Sequence, residues 1–220
     1  MVVTESSARR YALADPDVRL MLQVRDDDAA AFEELVVRYQ GRLVAVLGHL
    51  VGSRDQAEDL TQEVFLRVYR ARKRYEAGAK FATWLFTIAN NVASNALRRR
   101  SRRREITLQP RDSGPMGARP LDEMLQASSG QMPARQLDNA EARDIVRLAI
   151  GALNERQRMA VLLNKFEGMC YADIAGIMEL SPEAVKSLLF RARVNLREVL
   201  EPYIQHGERP EMEDGELETR

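Results

Sequence analysis

The sequence predicts an all-α fold of two small helical domains joined by a flexible linker. Apolar residues recur at three- and four-residue spacing in both halves of the 220-residue chain, and no segment alternates convincingly with period two. Between the halves, residues 105–136 hold four of the eight prolines and lack helical periodicity. We therefore expect one domain at residues 12–104, a linker at 105–136, a second domain at 137–205 and an acidic tail at 206–220.

Three helices are predicted in the first domain. One apolar stripe lies between residues 32 and 50, and Gly52 interrupts it. A second stripe lies between residues 60 and 68. A loop that contains Gly78 then leads into the third helix.

The third helix, from Lys80 to Arg104, carries the strongest functional signal. It opens with the aromatic residues Phe81, Trp84 and Phe86, and residues 98–104 contain six arginines. Clustered arginines repel one another, so a polyanion is their natural partner. Aromatic rings beside such a cluster offer flat faces to unstacked bases. The segment therefore predicts contact with DNA as it opens.

Charge is segregated along the chain. Net charge is zero overall, with 33 basic and 33 acidic residues, yet the part from Arg67 to Arg104 contains only one acid, Glu76. The third helix also has one apolar face and one face of uncharged hydrogen-bonding groups. A packing role for Trp84 and a purely solvated arginine cluster remain the alternatives. The polar face comprises Thr83, Thr87, Asn90, Asn91, Ser94 and Arg98.

A helix-turn-helix is predicted in the second domain, between residues 171 and 189. Asn154 and Gln157 form a capping box ahead of it, and Ser181 with Pro182 is typical of a helix start. A basic outer face also occurs on many helical hairpins that bind no DNA. The exposed aromatic ring within this face favours reading of the major groove. The outward residues of the last helix are Lys186, Ser187, Phe190, Arg193, Val194 and Arg197, with Arg191 at the edge.

A third surface is predicted on the helix that holds the second apolar stripe. A separate stripe lies about 100° away from the core-facing side chains of this helix and comprises Asp59, Glu63, Leu66 and Arg70. An exposed leucine framed by acids favours a protein contact, although single exposed leucines are common.

Catalytic and metal-binding patterns are missing from the sequence. His49 and His206 have no cysteine or carboxylate cluster at metal-ligand spacing, and there is no phosphate loop or nucleophile elbow. The aspartates at residues 26–28 are expected to cap a helix that begins near Ala29. We therefore expect no enzymatic activity, no metal and no cofactor.

The sequence also predicts a cytoplasmic protein without membrane insertion. No apolar run approaches the ~20 residues of a membrane span, and the first ten residues lack the apolar segment of a secretory signal. The single cysteine, Cys170, excludes an internal disulfide and fits a reducing compartment.

The chain resembles the extracytoplasmic-function sigma factors of bacterial RNA polymerase. Residues 57–70 (AEDLTQEVFLRVYR) are similar to the region-two helix of that family that docks on the polymerase clamp. Residues 81–91 (FATWLFTIANN) are similar to the segment that melts and reads the minus-ten element. Residues 152–157 (ALNERQ) and 190–193 (FRAR), with the helix-turn-helix, are similar to region four, which reads the minus-thirty-five element.

This resemblance implies a role for each surface, with core RNA polymerase and promoter DNA as partners and an anti-sigma factor as a further candidate. The implied polymerase contacts are Asp59, Gln62, Glu63 and Leu66. The implied minus-ten contacts are Lys80, Phe81, Thr83, Trp84, Thr87, Asn90, Asn91, Ser94 and Arg98. The implied minus-thirty-five contacts are Lys186, Ser187, Phe190, Arg191, Arg193 and Arg197.

One residue of the turn departs from the usual pattern. Glu179 stands where the turn of a helix-turn-helix usually has glycine, which costs ~1 kcal/mol if the backbone there is left-handed. A stand-alone helix-turn-helix repressor or activator is the alternative function. That alternative needs a sensing or dimerisation domain, and residues 12–104 contain no ligand-pocket signature.

Overall fold

The computed structural model describes residues 14–106 and 133–206, and every element within these ranges is helical, which confirms the all-α prediction. Most of the predicted linker and almost all of the acidic tail lie outside the described residues. A 3-10 turn covers Arg72–Arg74 and a π-helical turn covers Leu162–Phe166. The helices are α1 (Pro16–Arg25), α2 (Ala29–Val51), α3 (Arg54–Ala71), α4 (Phe81–Ile106), α5 (Pro133–Ala152), α6 (Glu155–Val161), α7 (Tyr171–Met178) and α8 (Pro182–His206).

Local capping explains where several helices begin. The Asp28 carboxylate accepts hydrogen bonds from the first amides of α2, which confirms its predicted capping role. Asn154 and Gln157 form the predicted capping box at the start of α6. The Ser181 hydroxyl accepts from the Ala184 amide at 3.1 Å ahead of α8. These polar side chains satisfy amides that have no partner within their own helix.

The first helical body consists of α1 to α4. Helix α2 packs along α3 and α1, and α4 packs against α3. Gly52, with φ of 73°, ends α2 in the left-handed conformation and lets the chain reverse into α3. The buried face of α4 comprises Phe81, Leu85, Phe86, Ala89, Val92 and Ala93.

The second helical body consists of α5 to α8, and α7 and α8 form the predicted helix-turn-helix. Ile174 and Ile177 of α7 are buried against Val185 and Leu189 of α8. Glu179 ends α7 with φ of 54° and ψ of 47°. The left-handed backbone expected at this position is therefore present, and it is held by a non-glycine residue.

The two bodies pack against each other, which the sequence did not predict. Helix α7 lies on α4, α6 lies on α2, and buried side chains from both bodies form one continuous cluster. The Arg42 Nε donates to Glu167 Oε2 at 2.9 Å, and the Glu167 side chain is only 4% exposed. Contacts between residues more than one hundred positions apart therefore join the bodies.

Arg158 forms a second connection between the bodies. Its Nη1 donates to the carbonyls of His49 and Leu50 at the end of α2, at 3.3 and 3.4 Å. Its Nε donates to the Ile150 carbonyl at 3.0 Å, near the end of α5. One guanidinium thus satisfies carbonyls at two helix ends, where a positive charge is favourable.

Candidate nucleic-acid interface

The acid–leucine surface (Asp59, Gln62, Glu63 and Leu66) lies on the outer side of α3. Ala57, Val64 and Val68 point into the core from the opposite side. Leu66 is 50% exposed, and Asp59 and Gln62 are also exposed. The periodicity of the sequence thus gave the correct exposure for these side chains.

Glu63 is engaged within its own helix. Its Oε1 accepts a hydrogen bond from Arg67 Nε at 2.7 Å, and this bond holds the pKa of the Glu63 carboxyl below its usual value. Glu63 is therefore an ionised carboxylate that is paired with Arg67 beside the exposed leucine. Because that charge is already paired, Asp59 is the freer acid of the two.

Tyr69 extends this surface and was missed by the sequence argument. It is 43% exposed, and the guanidinium of Arg72 lies 3.9 Å from its ring centroid. It follows Leu66 by three positions, so the same helical spacing would have identified it. The outer side of α3 therefore has two exposed apolar groups.

Phe81 has a packing role, which corrects its prediction as a side chain that contacts an unpaired base. Its side chain is fully buried, and its ring meets the ring of Tyr39 edge-on with centroids 5.2 Å apart. Its amide donates to Asp15 Oδ2 at 3.1 Å, which anchors the start of α4. Phe81 precedes the buried Leu85 by four positions, so helical periodicity carried a signal for the burial of Phe81.

Trp84 is partly buried and packs against the core. Its ring meets Tyr75 edge-on with centroids 4.9 Å apart. The Tyr75 hydroxyl is buried and has no hydrogen-bond partner among the described residues. Tyr75 therefore packs the start of the loop at residues 75–80 onto Trp84 of α4.

Part of the polar face of α4, namely Thr83, Thr87, Asn90 and Ser94, lies toward α7 of the second body. The Thr83 hydroxyl donates to Asp173 Oδ1 at 3.3 Å, and Lys80 Nζ donates to Asp173 Oδ2 at 3.1 Å. The Asn90 amide donates to the Ile177 carbonyl at 3.3 Å. All four residues of this face are partly buried.

Asp173 is charged at this contact. Burial alone would raise the pKa of its carboxyl, but hydrogen bonds from Cys170, Lys80 and Thr83 outweigh burial and lower it. The same hydrogen bond from Lys80 raises the pKa of the Lys80 ammonium. An ion pair thus joins α7 to the start of α4, and nothing local in the sequence indicated it.

Beyond the polar face, α4 is open to solvent. Asn91, Arg98, Arg99, Arg100 and Arg102 are exposed. Arg100 donates to the Val51 carbonyl at 3.0 Å, and Arg98 donates to Asn95 Oδ1 at 3.1 Å. This end of the helix presents a concentrated positive charge that suits a phosphate backbone.

The reading face of α8 is exposed throughout. Phe190 is 62% exposed, whereas Val185 and Leu189 are buried on the opposite side of the helix. Arg191 and Arg193 donate hydrogen bonds to the carbonyls of Ser187 and Leu189 within α8 itself. The reading face comprises Lys186, Ser187, Phe190, Arg191, Arg193 and Arg197.

The described ranges contain neither a metal-ligand cluster nor a helix suited to a membrane. No group of three His, Cys, Asp or Glu residues there could hold a metal ion. None of the helices in those ranges is both long and apolar enough to span a bilayer.

Two family models match the chain in the order of the two helical bodies. The model of Sigma-70 region 2 matches residues 35–103, which include the acid–leucine surface and most of α4. The model of Sigma-70, region 4 matches residues 143–196, which include the helix-turn-helix.

Curated relatives match over nearly their whole length. The RNA polymerase sigma-H factor of Pseudomonas aeruginosa is 31% identical over 196 residues, covering 88% of this chain and 98% of that protein. The ECF RNA polymerase sigma-E factor of Escherichia coli K12 is 33% identical over 189 residues, covering 86% of this chain and 96% of that protein.

Solved structures share the fold. The sigma factor RpoE in complex with the anti-sigma factor NepR from Bartonella quintana superposes with a TM-score of 0.60 at 26% identity, covering 77% of this chain and 96% of that chain. CnrH in complex with the cytosolic domain of CnrY gives a TM-score of 0.59 at 22% identity, covering 85% of this chain and 98% of that chain.

Proposed function

This chain belongs to the extracytoplasmic-function sigma factors, and we propose on that premise which of its residues bind polymerase and promoter DNA. It is a transcription initiation factor that binds core RNA polymerase and recognises promoter DNA. The region-two match accounts for residues 35–103, which a stand-alone helix-turn-helix regulator leaves unexplained. The observation that carries the proposal is the pair of solvent-exposed surfaces on α3 and α8, one in each matched region.

The acid–leucine surface binds core polymerase in this proposal. Leu66 contributes little to the fold because half of its surface is in solvent. An apolar side chain at the centre of an acid-rimmed patch can dominate an interface once a partner covers it. Asp59 adds electrostatic steering toward a basic partner.

The start of α4 captures the opened minus-ten element. Lys80 and Arg98 supply charge for phosphates, and Trp84 supplies an aromatic wall. The hydrogen-bonding groups of Thr83, Thr87, Asn90, Asn91 and Ser94 suit base edges. Phe81 serves this site from the core, by holding the start of α4.

The reading face of α8 enters the major groove at the minus-thirty-five element. Lysine and arginine donors suit guanine edges or phosphates, and Ser187 suits either. The Phe190 ring suits a thymine methyl group. Because these side chains are solvent-exposed, they need no rearrangement within α8 to reach the DNA.

The remaining parts of the proposal follow from the family. The protein acts without catalysis of its own, in the cytoplasm, where polymerase and chromosome meet. Residues 12–104 and 137–205 act as separate domains on the polymerase, with residues 105–136 as the connection. An anti-sigma factor is a candidate regulator, because the sigma factor RpoE of Bartonella quintana was solved with one, NepR.

Transcription on genomic DNA from the organism that encodes this chain tests the proposal. Core polymerase is incubated with and without the protein, and the 5′ ends of the RNA are mapped by sequencing. We expect new start sites, with two shared upstream elements, only when both components are present. If the protein changes transcription only when the polymerase already carries a different sigma factor, the proposal is contradicted and the stand-alone regulator is favoured.

A further inference from the structure

The reading face of α8 combines exposed cations with exposed apolar groups. Phe190 is 62% exposed and the adjacent Val194 is 41% exposed. Arg191 and Arg193 donate their Nε hydrogens to carbonyls of α8 itself, so their guanidinium groups stay at the surface. A partner that fits this face supplies anions and apolar groups together. The four cations of the face are Lys186, Arg191, Arg193 and Arg197.

Several cations of the first body are already paired with carboxylates. Arg67 pairs with Glu63, and Arg72 and Lys73 share Asp27. Among the described residues, the four cations of the reading face have no such carboxylate partner. The reading face therefore carries charge that an anionic segment can still neutralise.

The acidic tail contains the matching chemistry. Residues 211–218 (EMEDGELE) hold five acids and no base, and Met212 and Leu217 each lie between two of those acids. The segment thus alternates anions with apolar side chains, just as the reading face carries cations beside Phe190 and Val194. It lies beyond the match to Sigma-70, region 4, which ends at residue 196, and none of the surfaces assigned above uses it.

The length of the chain allows this segment to run back along the reading face. Helix α8 ends at His206. Because a helix rises ~1.5 Å per residue, Arg197 lies ~14 Å and Lys186 ~30 Å back along its axis. An extended chain spans at most ~3.3–3.6 Å per residue, so residue 211 can reach ~17 Å from His206 and residue 218 can reach ~40 Å. The first acids can therefore meet Arg197, and the last can meet Lys186.

Residues 211–218 offer the reading face the same groups as DNA does. Carboxylates accept hydrogen bonds from guanidinium and ammonium donors as phosphate oxygens do. Methionine and leucine side chains can contact the Phe190 ring in the place of a thymine methyl group. A segment that is tethered by a short connection meets its site at an effective concentration in the millimolar range. The contact therefore forms without a high intrinsic affinity.

We propose that residues 211–218 bind the reading face of α8 in the free protein and compete there with DNA. The proposal rests on the minus-thirty-five role assigned to α8 above. A chromosome offers a large excess of non-specific sites, which bind mainly through their phosphates. The segment weakens binding to those sites. A promoter is also held through polymerase and the minus-ten element, and this additional binding allows it to displace the segment.

Zero-length cross-linking of the full chain tests the contact in the absence of DNA. A carbodiimide joins a lysine ammonium to a carboxylate that lies directly beside it, and Lys186 is the lysine of the reading face. Mass spectrometry of the monomeric product identifies the joined peptides. The pair of Lys73 and Asp27, with 2.6 Å between Nζ and Oδ2, is the internal control.

We expect Lys186 to be joined to a carboxylate of residues 211–218 within one chain. Joining of the tail only to Lys73, Lys80 or Lys165, or only to a second copy of the chain, would overturn the proposal. The absence of any tail product while Lys73 is joined to Asp27 would also overturn it. Because this measurement uses neither DNA nor polymerase, its result is independent of the proposed function.

The affinity for a duplex measures the competition. The probe is a fluorescent duplex that copies the minus-thirty-five region of a mapped start site. The tail variant combines Glu213→Gln, Asp214→Asn and Glu216→Gln, which removes three charges from the segment. We expect this variant to bind the duplex at least five-fold more tightly than wild type does in low salt, where the ion pairs of the segment are least screened.

A matched control removes three charges from exposed positions of the first body. It combines Asp26→Asn, Glu33→Gln and Asp55→Asn. We expect this control to bind the duplex as wild type does. An equal gain in the control and in the tail variant would overturn the proposal, because net charge and not displacement from α8 would then strengthen binding.

A background without two of the cations tests where the segment binds. When Lys186→Ala and Arg197→Ala are present, the tail substitutions should give a smaller gain, because the segment has fewer cations to occupy. A gain of the same size in this background would overturn the contact with α8. If neither wild type nor the tail variant prefers the duplex to a scrambled one, the proposed reading role fails instead.

Discussion

Phe81 and Phe190 were both predicted to touch DNA, yet the structure places their rings in opposite environments. Phe81 opens α4 and is fully buried, whereas Phe190 lies on α8 and is 62% exposed. The surrounding faces differ likewise, since the polar face of α4 lies under α7 and the reading face of α8 is bare. The face that is proposed to read duplex DNA is therefore exposed, and the face that is proposed to take melted DNA is partly covered.

The difference fits the proposed role of each helix. Reading an intact major groove needs only exposed side chains on a rigid helix. Holding an unpaired base needs a pocket that the base can enter once the duplex has opened. A rigid aromatic core under such a pocket keeps its walls in position, and the Phe81, Tyr75 and Trp84 rings supply that core.

The sharpest test of this comparison is to truncate both phenylalanines. Phe81→Ala should lower the free energy of unfolding by about 3–5 kcal/mol, because it removes a fully buried ring. Phe190→Ala should change it by less than about 0.5 kcal/mol, because that ring is mostly in solvent. Urea denaturation of the full chain, followed by circular dichroism, measures both. A Phe81→Ala variant as stable as wild type would contradict the packing role of Phe81.

The reading face of α8 should determine which DNA sequence is bound and should contribute nothing to the stability of the fold. Lys186→Ala combined with Arg191→Ala should remove about 1–3 kcal/mol of base discrimination for each lost contact. Stability should stay unchanged, since both side chains are exposed. Competition between cognate and scrambled minus-thirty-five duplexes measures the loss. A double variant that still separates the two duplexes would show that another face of α8 reads the promoter.

Substitutions in the acid–leucine surface should likewise weaken binding and leave stability unchanged. Leu66→Ala with Asp59→Lys should cost about 2 kcal/mol or more of binding to core polymerase, through lost apolar burial and introduced repulsion. The melting curve of the variant should match that of the parent within about 0.5 kcal/mol. Co-purification with core polymerase measures the binding. Glu33→Gln is the control for a charge change on an exposed helix face.

Most of the fold and the exposed surfaces could be predicted from local patterns. Helical spacing placed Leu66 and Phe190 outside and Val64 and Val185 inside, and capping chemistry located the starts of α2, α6 and α8. These features depend on neighbours within about one helical turn, which the sequence displays directly.

The covered face could not be predicted, because its partners are remote in sequence. Lys80 and Asp173 are 93 positions apart, and Arg42 and Glu167 are 125 apart. No periodicity links such positions, and lysine, arginine, aspartate and glutamate are all common on solvent-exposed surfaces. The error at Phe81 had another origin: its aromatic character was given more weight than its place in the apolar stripe with Leu85.

The smallest expected effect is at the turn of the helix-turn-helix, which lies in the same body as the exposed reading face of α8. Glu179 holds φ of 54° and ψ of 47°, a conformation that costs a side-chain-bearing residue about 1–2 kcal/mol relative to its right-handed alternative. Glycine adopts it without that steric cost but loses more chain entropy on folding. Glu179→Gly should therefore stabilise the protein by a net of about 0.5–1 kcal/mol.

Glu179→Ala is the matched control, because it removes the same side chain and keeps the Cβ that causes the strain. The alanine variant should unfold at the same urea concentration as wild type, and the glycine variant at a higher one. Both variants should bind the minus-thirty-five duplex as wild type does, since the turn carries none of the reading side chains. If alanine stabilises as much as glycine, the Glu179 side chain is the source of the cost, and the left-handed backbone carries none. Stabilisation by glycine alone would mean that the turn keeps its geometry although Glu179 disfavours it. The shared core of α7 and α8 would then hold the two helices in place. That core comprises Ile174, Ile177, Val185 and Leu189.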